Sequence, residues 1–281
     1  MIKIIADSTC DLSKEIIEKY NISILPLYIH LGDEEYKDGV NLTSDEIYSW
    51  SDENELTPKT AAFSIKEAMD LFKKHIDAGD EIISFSISDE MSTSGNVMRL
   101  ASKELESENS IHIINSANLS TGIGLLVLEA AIMAKQGKSA KEIVARIEEL
   151  KSRVRASFVV DTLTYLHRGG RCNSVAKLAG GILKIHPKII VDNGKMRVGK
   201  KYRGKMPNVI MSYVKDMEEN LKNAKTDRVF ITHSGCEQEI INQVYEYLLE
   251  LNVFDEIIIT RAGGIISSHC GPGTLGVLFI S

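Results

Sequence analysis

Short apolar runs alternate with amphipathic stretches along the first half of the chain, the pattern of a layered α/β fold. Residues 2–6 form one such run and predict a buried strand that ends at Asp7-Ser8-Thr9-Cys10-Asp11-Leu12. A helix with Ile16, Ile17 and Tyr20 on one face follows, then a second strand over Ile22 to Ile29 and a polar segment, Gly32 to Asn41, suited to a small hairpin. Helix starts are marked by capping boxes, in which a hydroxyl and a glutamate three residues later satisfy each other's backbone N–H groups. Thr43 with Glu46, Ser64 with Glu67 and Ser139 with Glu142 have this spacing, opening helices to about Trp50, His75 and Arg153. Glu81 to Ile87 and Ile111 to Ile114 are further strands. The helix ending near Lys135 is apolar nearly all round and is therefore expected to be buried.

The second half reads differently. Phe158 to Val160 is a strand, Leu163 to Cys172 a short helix closed by glycines, and Ser174 to Ala179 helical. Runs over 185–191 and 196–201 flank Asp192-Asn193-Gly194-Lys195, where Asn193-Gly194 suits a type I′ hairpin turn. A long amphipathic helix over 206–224, a strand over 228–232, a helix over 237–251 and a strand over 256–260 lead to Ser267-Ser268-His269-Cys270-Gly271-Pro272-Gly273-Thr274-Leu275-Gly276. Its glycines permit a tight turn, either aiming His269 into a cleft or making a hairpin corner that carries a histidine. The terminal run 277–280 is a strand. A hairpin beside crossover helices implies a mixed sheet, and the change of texture places a domain boundary near 155, giving domains 1–155 and 156–281.

Composition narrows the functional classes. A chain of 281 residues with ordinary apolar and charged fractions buries a sizeable core, and a net charge of −6 argues against nucleic acid as the partner. Cys10, Cys172, Cys236 and Cys270 form no CxxC pair and suit a reducing cytoplasm. The longest apolar tract, Gly122 to Ala134, is interrupted by Glu129 and falls short of a membrane span. The candidate chemistry lies in hydroxyl-rich loops at strand ends, where open α/β sheets bind ligands. Ser8 and Thr9 follow the first strand, Thr60 lies in the loop Leu56 to Ser64, and Ser92, Thr93 and Ser94 follow the strand over 81–87, where amides and hydroxyls together suit an anion. Lys195, Arg197, Lys200, Lys201, Arg203 and Lys205 form a basic cluster that either protects a strand edge or docks an acidic partner.

These stretches together resemble the DegV family of bacterial fatty-acid-binding proteins. Asp7 to Leu12 resembles the family's opening Asp-Ser-Thr-x-Asp-Leu, and Thr60 to Ser64 occupies the place of its Thr-Ser-Gln-Pro-Ser loop. Met91 to Ser94 resembles Leu-Ser-Gly-Thr, and Leu163 to Arg171 resembles Thr-Leu-x-Tyr-Leu-x-x-Gly-Gly-Arg. His233-Ser234-Gly235 and His269 to Gly276 resemble the His-x-Gly and closing His-x-Gly-Pro-Gly-x-Leu-Gly loops. The resemblance implies a two-domain α/β fold, an N-terminal Rossmann-like domain and a C-terminal mixed-sheet domain, with one long-chain fatty acid buried between them and no other cofactor. It implies that Thr60, Ser92 and His269 hold the carboxylate, with Ser8, Thr93 and Ser94 as neighbours. It further implies that a dihydroxyacetone-kinase-like fatty acid kinase makes the acyl phosphate for phospholipid synthesis, docking at Arg203 and, less directly, Arg171. The chain is then a cytoplasmic carrier, not an enzyme, compatible with transient contact with a membrane surface. Ala61, Ala62 and Phe63 depart from the family's loop, and Asp89-Glu90 and Thr93 stand where small residues are usual.

The main alternative is a serine hydrolase with Ser92 as nucleophile and His269 as base, although no Gly-x-Ser-x-Gly elbow surrounds Ser92. No GxGxxG or Walker loop supports a nucleotide enzyme, and His233, Cys236, His269 and Cys270 lack a recognised metal-ligand spacing.

Overall fold

The computed structural model describes residues 1–172 and 185–281; the expected helix over 174–179 lies outside the described residues. In chain order the first half carries β1 (Ile2–Asp7), α1 (Lys14–Lys19), β2 (Ser23–Leu25), β3 (Tyr28–Leu31), β4 (Glu34–Lys37), α2 (Ser44–Asn54), β5 (Lys59–Ala61), α3 (Ile65–Ile76), β6 (Glu81–Ser86), α4 (Ser94–Glu104), β7 (Ile111–Asn115), α5 (Thr121–Lys135) and α6 (Ala140–Lys151). The second half carries β8 (Val154–Arg155), β9 (Ser157–Val159), α7 (Thr164–Gly169), β10 (Ile185–Asp192), β11 (Lys195–Arg203), α8 (Met206–Lys215), α9 (Glu218–Lys222), β12 (Arg228–His233), α10 (Gln238–Leu251), β13 (Glu256–Arg261), α11 (Gly264–Cys270) and β14 (Leu275–Ile280).

Strands of the first half make a parallel sheet in the order β2-β1-β6-β7 and a small antiparallel sheet, β4-β3-β5. Those of the second half make a mixed sheet, β11-β10-β9-β14-β12-β13, with β8 also on β14; only β12 and β13 run parallel. Helix α5 contacts β1 and β6 of the parallel sheet and β8 and β14 of the mixed one, which explains its lack of a polar face. All three expected capping boxes form. Asn193 and Gly194 both adopt positive φ, 49° and 79°, as the hairpin turn requires.

Four expectations change. The run Ile22 to Ile29 is two strands in different sheets, because Pro26 has no N–H for a continuous ladder. The helix expected over 206–224 breaks after Lys215, at a turn whose first residue, Asp216, caps the helix while its carboxylate accepts hydrogen bonds from Lys200 Nζ at 2.5 Å and the Tyr202 hydroxyl at 2.7 Å. Thr60 lies on β5, a strand pinned against β3, and not in an irregular loop. His269 lies in the last turn of a helix, and the glycines behind it serve other neighbours. A Cβ on Gly271, at φ +75°, would fall 2.5 Å from the Tyr165 ring, and one on Gly273 would meet Asp161 at 3.1 Å. The turn therefore packs against α7, through Tyr165, and against Asp161 ahead of it.

Candidate functional site

In the parallel sheet, β1 has β2 on one side and β6 on the other, so the crevice at their carboxyl ends is a topological switch point, the usual ligand site of open α/β sheets. Asp7 fixes the crevice floor. Its Oδ1 accepts from the Thr9 amide at 3.1 Å and its Oδ2 accepts from the Ile87 amide at 2.8 Å, tying the ends of β1 and β6 together. Above this floor lies a cavity of about 460 Å³, within the range of small-molecule sites. Met91, Leu119 and Met196 wall one part, Ile265 and Ile266 another, so most of its surface is apolar.

Polar groups gather at a few points of this wall. Thr60 from β5, Ser92 from the loop after β6, and His269 from α11 all line the cavity. Thr60 Oγ1 and His269 Nε2 are 2.9 Å apart. Among the described residues the buried His269 Nδ1 has no partner, and the ring packs so closely on Gly169 that an added Cβ there would fall 2.4 Å from that nitrogen. Leaving a lone pair unpaired on Nδ1 costs less than leaving an N–H unpaired, so the proton belongs on Nε2 and is donated to Thr60. The Thr60 hydroxyl proton is then free to point into the cavity. Ser92 is arranged likewise: its Oγ accepts the Ser94 amide at 3.3 Å and lies 2.8 Å from the Ser94 hydroxyl. With Ser94 donating, Ser92 also offers a proton to the cavity. Two hydroxyl donors beside an apolar slot suit an acceptor-only headgroup on a long apolar body. The nucleophile reading gains nothing here, since Nε2 faces Thr60 and no acid orients Nδ1.

The electrostatics agree with a neutral histidine. Part of the His269 ring faces the cavity, but it sits beneath the surface; desolvation, with the Arg171 charge adding to it, pushes its pKa down to about 4. Three carboxylates beside the site move the other way. Burial raises Asp7 to about 6 and Asp11 to about 8, and raises Asp38 as well. Each carboxylate binds its proton more tightly when folded, so its contribution to stability is full below the unfolded pKa and is lost as pH rises towards the folded value. His269, with His75 and His233 also lowered, does the opposite: its contribution is full above the unfolded value and lost as pH falls. The thermal midpoint is therefore expected to fall on the alkaline side towards about pH 8, where the histidines no longer offset the loss from Asp11, a slope that Asp11→Asn flattens. Calorimetry across that range checks it; a midpoint that climbs steadily into alkali contradicts it.

The remaining sequence-derived candidates separate. Thr93 and Arg171 also line the cavity, whereas Ser94 is buried behind Ser92. Ser8 is not brought to the cavity wall; its hydroxyl accepts the Leu27 amide at 3.1 Å. Arg203 is exposed at the end of β11. The two acids after β6 are paired, Asp89 with Arg99 at 3.1 Å and Glu90 with Lys195 at 3.3 Å. Asp89 also lines the cavity, and its Oδ1 lies 2.4 Å from where a Gly95 Cβ would stand, so the first turn of α4 already holds the protein's own carboxylate. The basic cluster is partly neutralised too, through Arg197 to Asp192 at 3.0 Å and Lys200 to Asp216. Sequence reasoning missed Gly169, whose signal, a Gly-Gly pair, reads as a helix end. It also missed Asp11 and Asp38, which look like ordinary turn acids.

Among the described residues no helix is long and apolar enough to cross a membrane, and no group of His, Cys, Asp and Glu is arranged to hold a metal.

The profile of the DegV family, described as uncharacterised proteins, matches residues 1–281. A DegV domain-containing protein of Clostridium acetobutylicum is 34% identical over 287 aligned positions, covering 99% of this chain and 98% of its own. Among solved structures, a stearic-acid-binding protein of Eubacterium ventriosum has 29% identity and a TM-score of 0.87, covering 100% of this chain and 98% of that one. A DegV family protein of Thermus thermophilus, solved as a fatty-acid-binding protein, has 25% identity and a TM-score of 0.90, covering 100% and 99%.

Proposed function

The chain belongs to the DegV family, and from that premise we propose that it carries one long-chain fatty acid in the cavity above β1 and β6. The observation that carries this reading is the combination of an apolar slot of about 460 Å³ with two hydroxyls, of Thr60 and Ser92, at its wall. Each buried methylene of such a chain contributes about 0.8 kcal/mol, so the tail supplies most of the affinity and the headgroup needs only to be oriented. Hydroxyl donors do this without sealing the carboxylate in a bidentate ion pair. Fatty-acid binding by solved proteins of the same fold and family supports the ligand class.

A carboxylate held in this way stays reactive, and the sequence carries no GxGxxG or Walker loop for ATP. The acyl phosphate is made by a separate, ATP-dependent, dihydroxyacetone-kinase-like fatty acid kinase in the cytoplasm, and feeds phospholipid synthesis. Arg203 is exposed on β11, outside the cavity wall, and is the docking residue; Arg171, at the wall, is the second. Native mass spectrometry of purified protein tests the ligand: a retained mass that extracts as a fatty acid is expected, and protein that neither retains nor takes up fatty acid overturns the reading. For the partner, Arg203→Glu is expected to leave fatty-acid affinity within about twofold, as for a surface change away from the ligand, while abolishing phosphorylation by the kinase. Loss of lipid binding as well assigns Arg203 a structural role.

A further inference from the structure

The helix that bears His269 comes from the second half of the chain, but residues of the first half grip its start. Gly263 N–H donates to Asp11 Oδ1 at 2.9 Å, and Gly264 N–H donates to Asp38 Oδ1 at 2.7 Å. Ser44 Oγ donates to the Ala262 carbonyl at 3.1 Å, Ser267 Oγ donates to Ser44 Oγ at 3.0 Å, and Arg261 pairs with Asp45. The fit leaves no slack: a Cβ on Gly264 would stand 2.5 Å from Ile29 Cδ1 and 3.0 Å from Asp38 Oδ1.

We propose that Asp11 and Asp38 are positioning residues for the ligand headgroup, acting through α11. The proposal rests on the fatty-acid reading only for what the headgroup is. The amides at the start of a helix have no partners within it, and two carboxylates from the opposite half of the chain take them up here. Neither acid is in the cavity wall, and both are almost fully buried. From Gly264 to His269 is five residues, about 7.5 Å of helix rise. A helix of seven residues moves as one piece. Any tilt at its start is therefore passed to the imidazole, where a displacement near 1 Å breaks a 2.9 Å contact with Thr60. Ile265 and Ile266, also in α11, line the slot, so the same two acids set its width. The groups facing the pair are Asp7, Cys10, Cys270, the Ser120 hydroxyl, which donates to Asp11 Oδ2 at 2.5 Å, and, at Asp38, the Ser8 hydroxyl and the Ile265 amide. Asp38 is thus committed to the first amides of α11 and to the hydroxyl that follows β1.

The test compares Asp38→Ala with Asp38→Asn, whose amide oxygen can still accept the Gly264 N–H. Glu129→Gln serves as control, because Glu129 pairs with Lys225 at 2.9 Å across the two halves without touching the cavity. Two readouts are used: the titration of His269 by nitrogen-15 NMR in ligand-free protein, and affinity for oleate. Asp38→Ala is expected to move the His269 titration upward towards that of a solvated imidazole and to weaken oleate binding about tenfold, the scale of one hydrogen bond. Asp38→Asn is expected to restore most of both. Glu129→Gln is expected to lower the melting temperature and change neither. If Asp38→Ala behaves like Glu129→Gln, the proposal is wrong, and a wild-type chain that binds no oleate overturns the fatty-acid reading while the His269 titration still decides this one. Should Asp38→Ala not fold, Asp11→Ala, which removes the acceptor of the Gly263 N–H, gives the same NMR readout.

Discussion

Replacing Thr60 and Ser92 together by alanine is expected to weaken fatty-acid binding about a hundredfold and to reduce phosphorylation by the kinase further still. Each hydroxyl gives one hydrogen bond to a charged acceptor, worth about 1.5–3 kcal/mol, and the two sit on separate elements, β5 and the loop after β6. The deeper loss in turnover follows because the tail still binds while the headgroup no longer has a fixed direction, and reaction depends on orientation. The single variants separate the roles. Thr60→Ala also strands the Nε2 proton of His269, so it is expected to cost more than Ser92→Ala. Displacement of a fluorescent fatty acid gives the affinities, and acyl-phosphate formation with the cognate kinase gives the turnover. Double-variant values equal to wild type in both assays remove these hydroxyls from the site.

The second large effect is expected at Gly169, a residue with no polar atom beyond its backbone. Gly169 ends α7 with ordinary helical φ, where alanine by itself is stabilising by up to about 1 kcal/mol. Its Cβ would nevertheless lie 2.4 Å from His269 Nδ1, and a ring displaced by it leaves its hydrogen-bond position against Thr60. Gly169→Ala is therefore expected to lower both the melting temperature and fatty-acid affinity, the latter by about tenfold or more through the lost Thr60–His269 hydrogen bond. The same substitution made in a His269→Ala background is expected to be neutral or stabilising. This reversal yields a coupling energy of about 1–3 kcal/mol. Additive effects of the two substitutions would falsify the contact.

The elements that follow from local rules were legible in the chain. The capping boxes at Thr43, Ser64 and Ser139 start helices because a hydroxyl and a glutamate three residues apart satisfy each other's backbone groups wherever they stand. Asn193-Gly194 makes its hairpin because both residues tolerate positive φ. The all-round apolar helix α5 had to be buried, and it lies between two sheets. The errors share one cause. Pro26 divides a run whose hydropathy is continuous, and Asp216 ends a run whose periodicity continues, because in each case backbone or side-chain hydrogen bonding overrides the apolar pattern.

The candidate site's inventory is written in the chain: hydroxyl-rich loops after strands, a histidine ahead of Gly271-Pro272-Gly273, and an acidic composition with no metal or nucleotide motif. These are properties of residue type and short spacing. Which members meet is set by packing between distant elements. Thr60 and His269 are 209 positions apart in the chain and 2.9 Å apart in space, and Ser8, equally plausible by its place after β1, is spent on the Leu27 amide. Nor does any local pattern announce that Asp38 would grip Gly264, 226 positions away, or that Gly169 must lack a side chain so that His269 can lie against it. Such contacts form where separate elements pack, and their partners are set by the arrangement of the sheets and helices, which short-range periodicity does not encode.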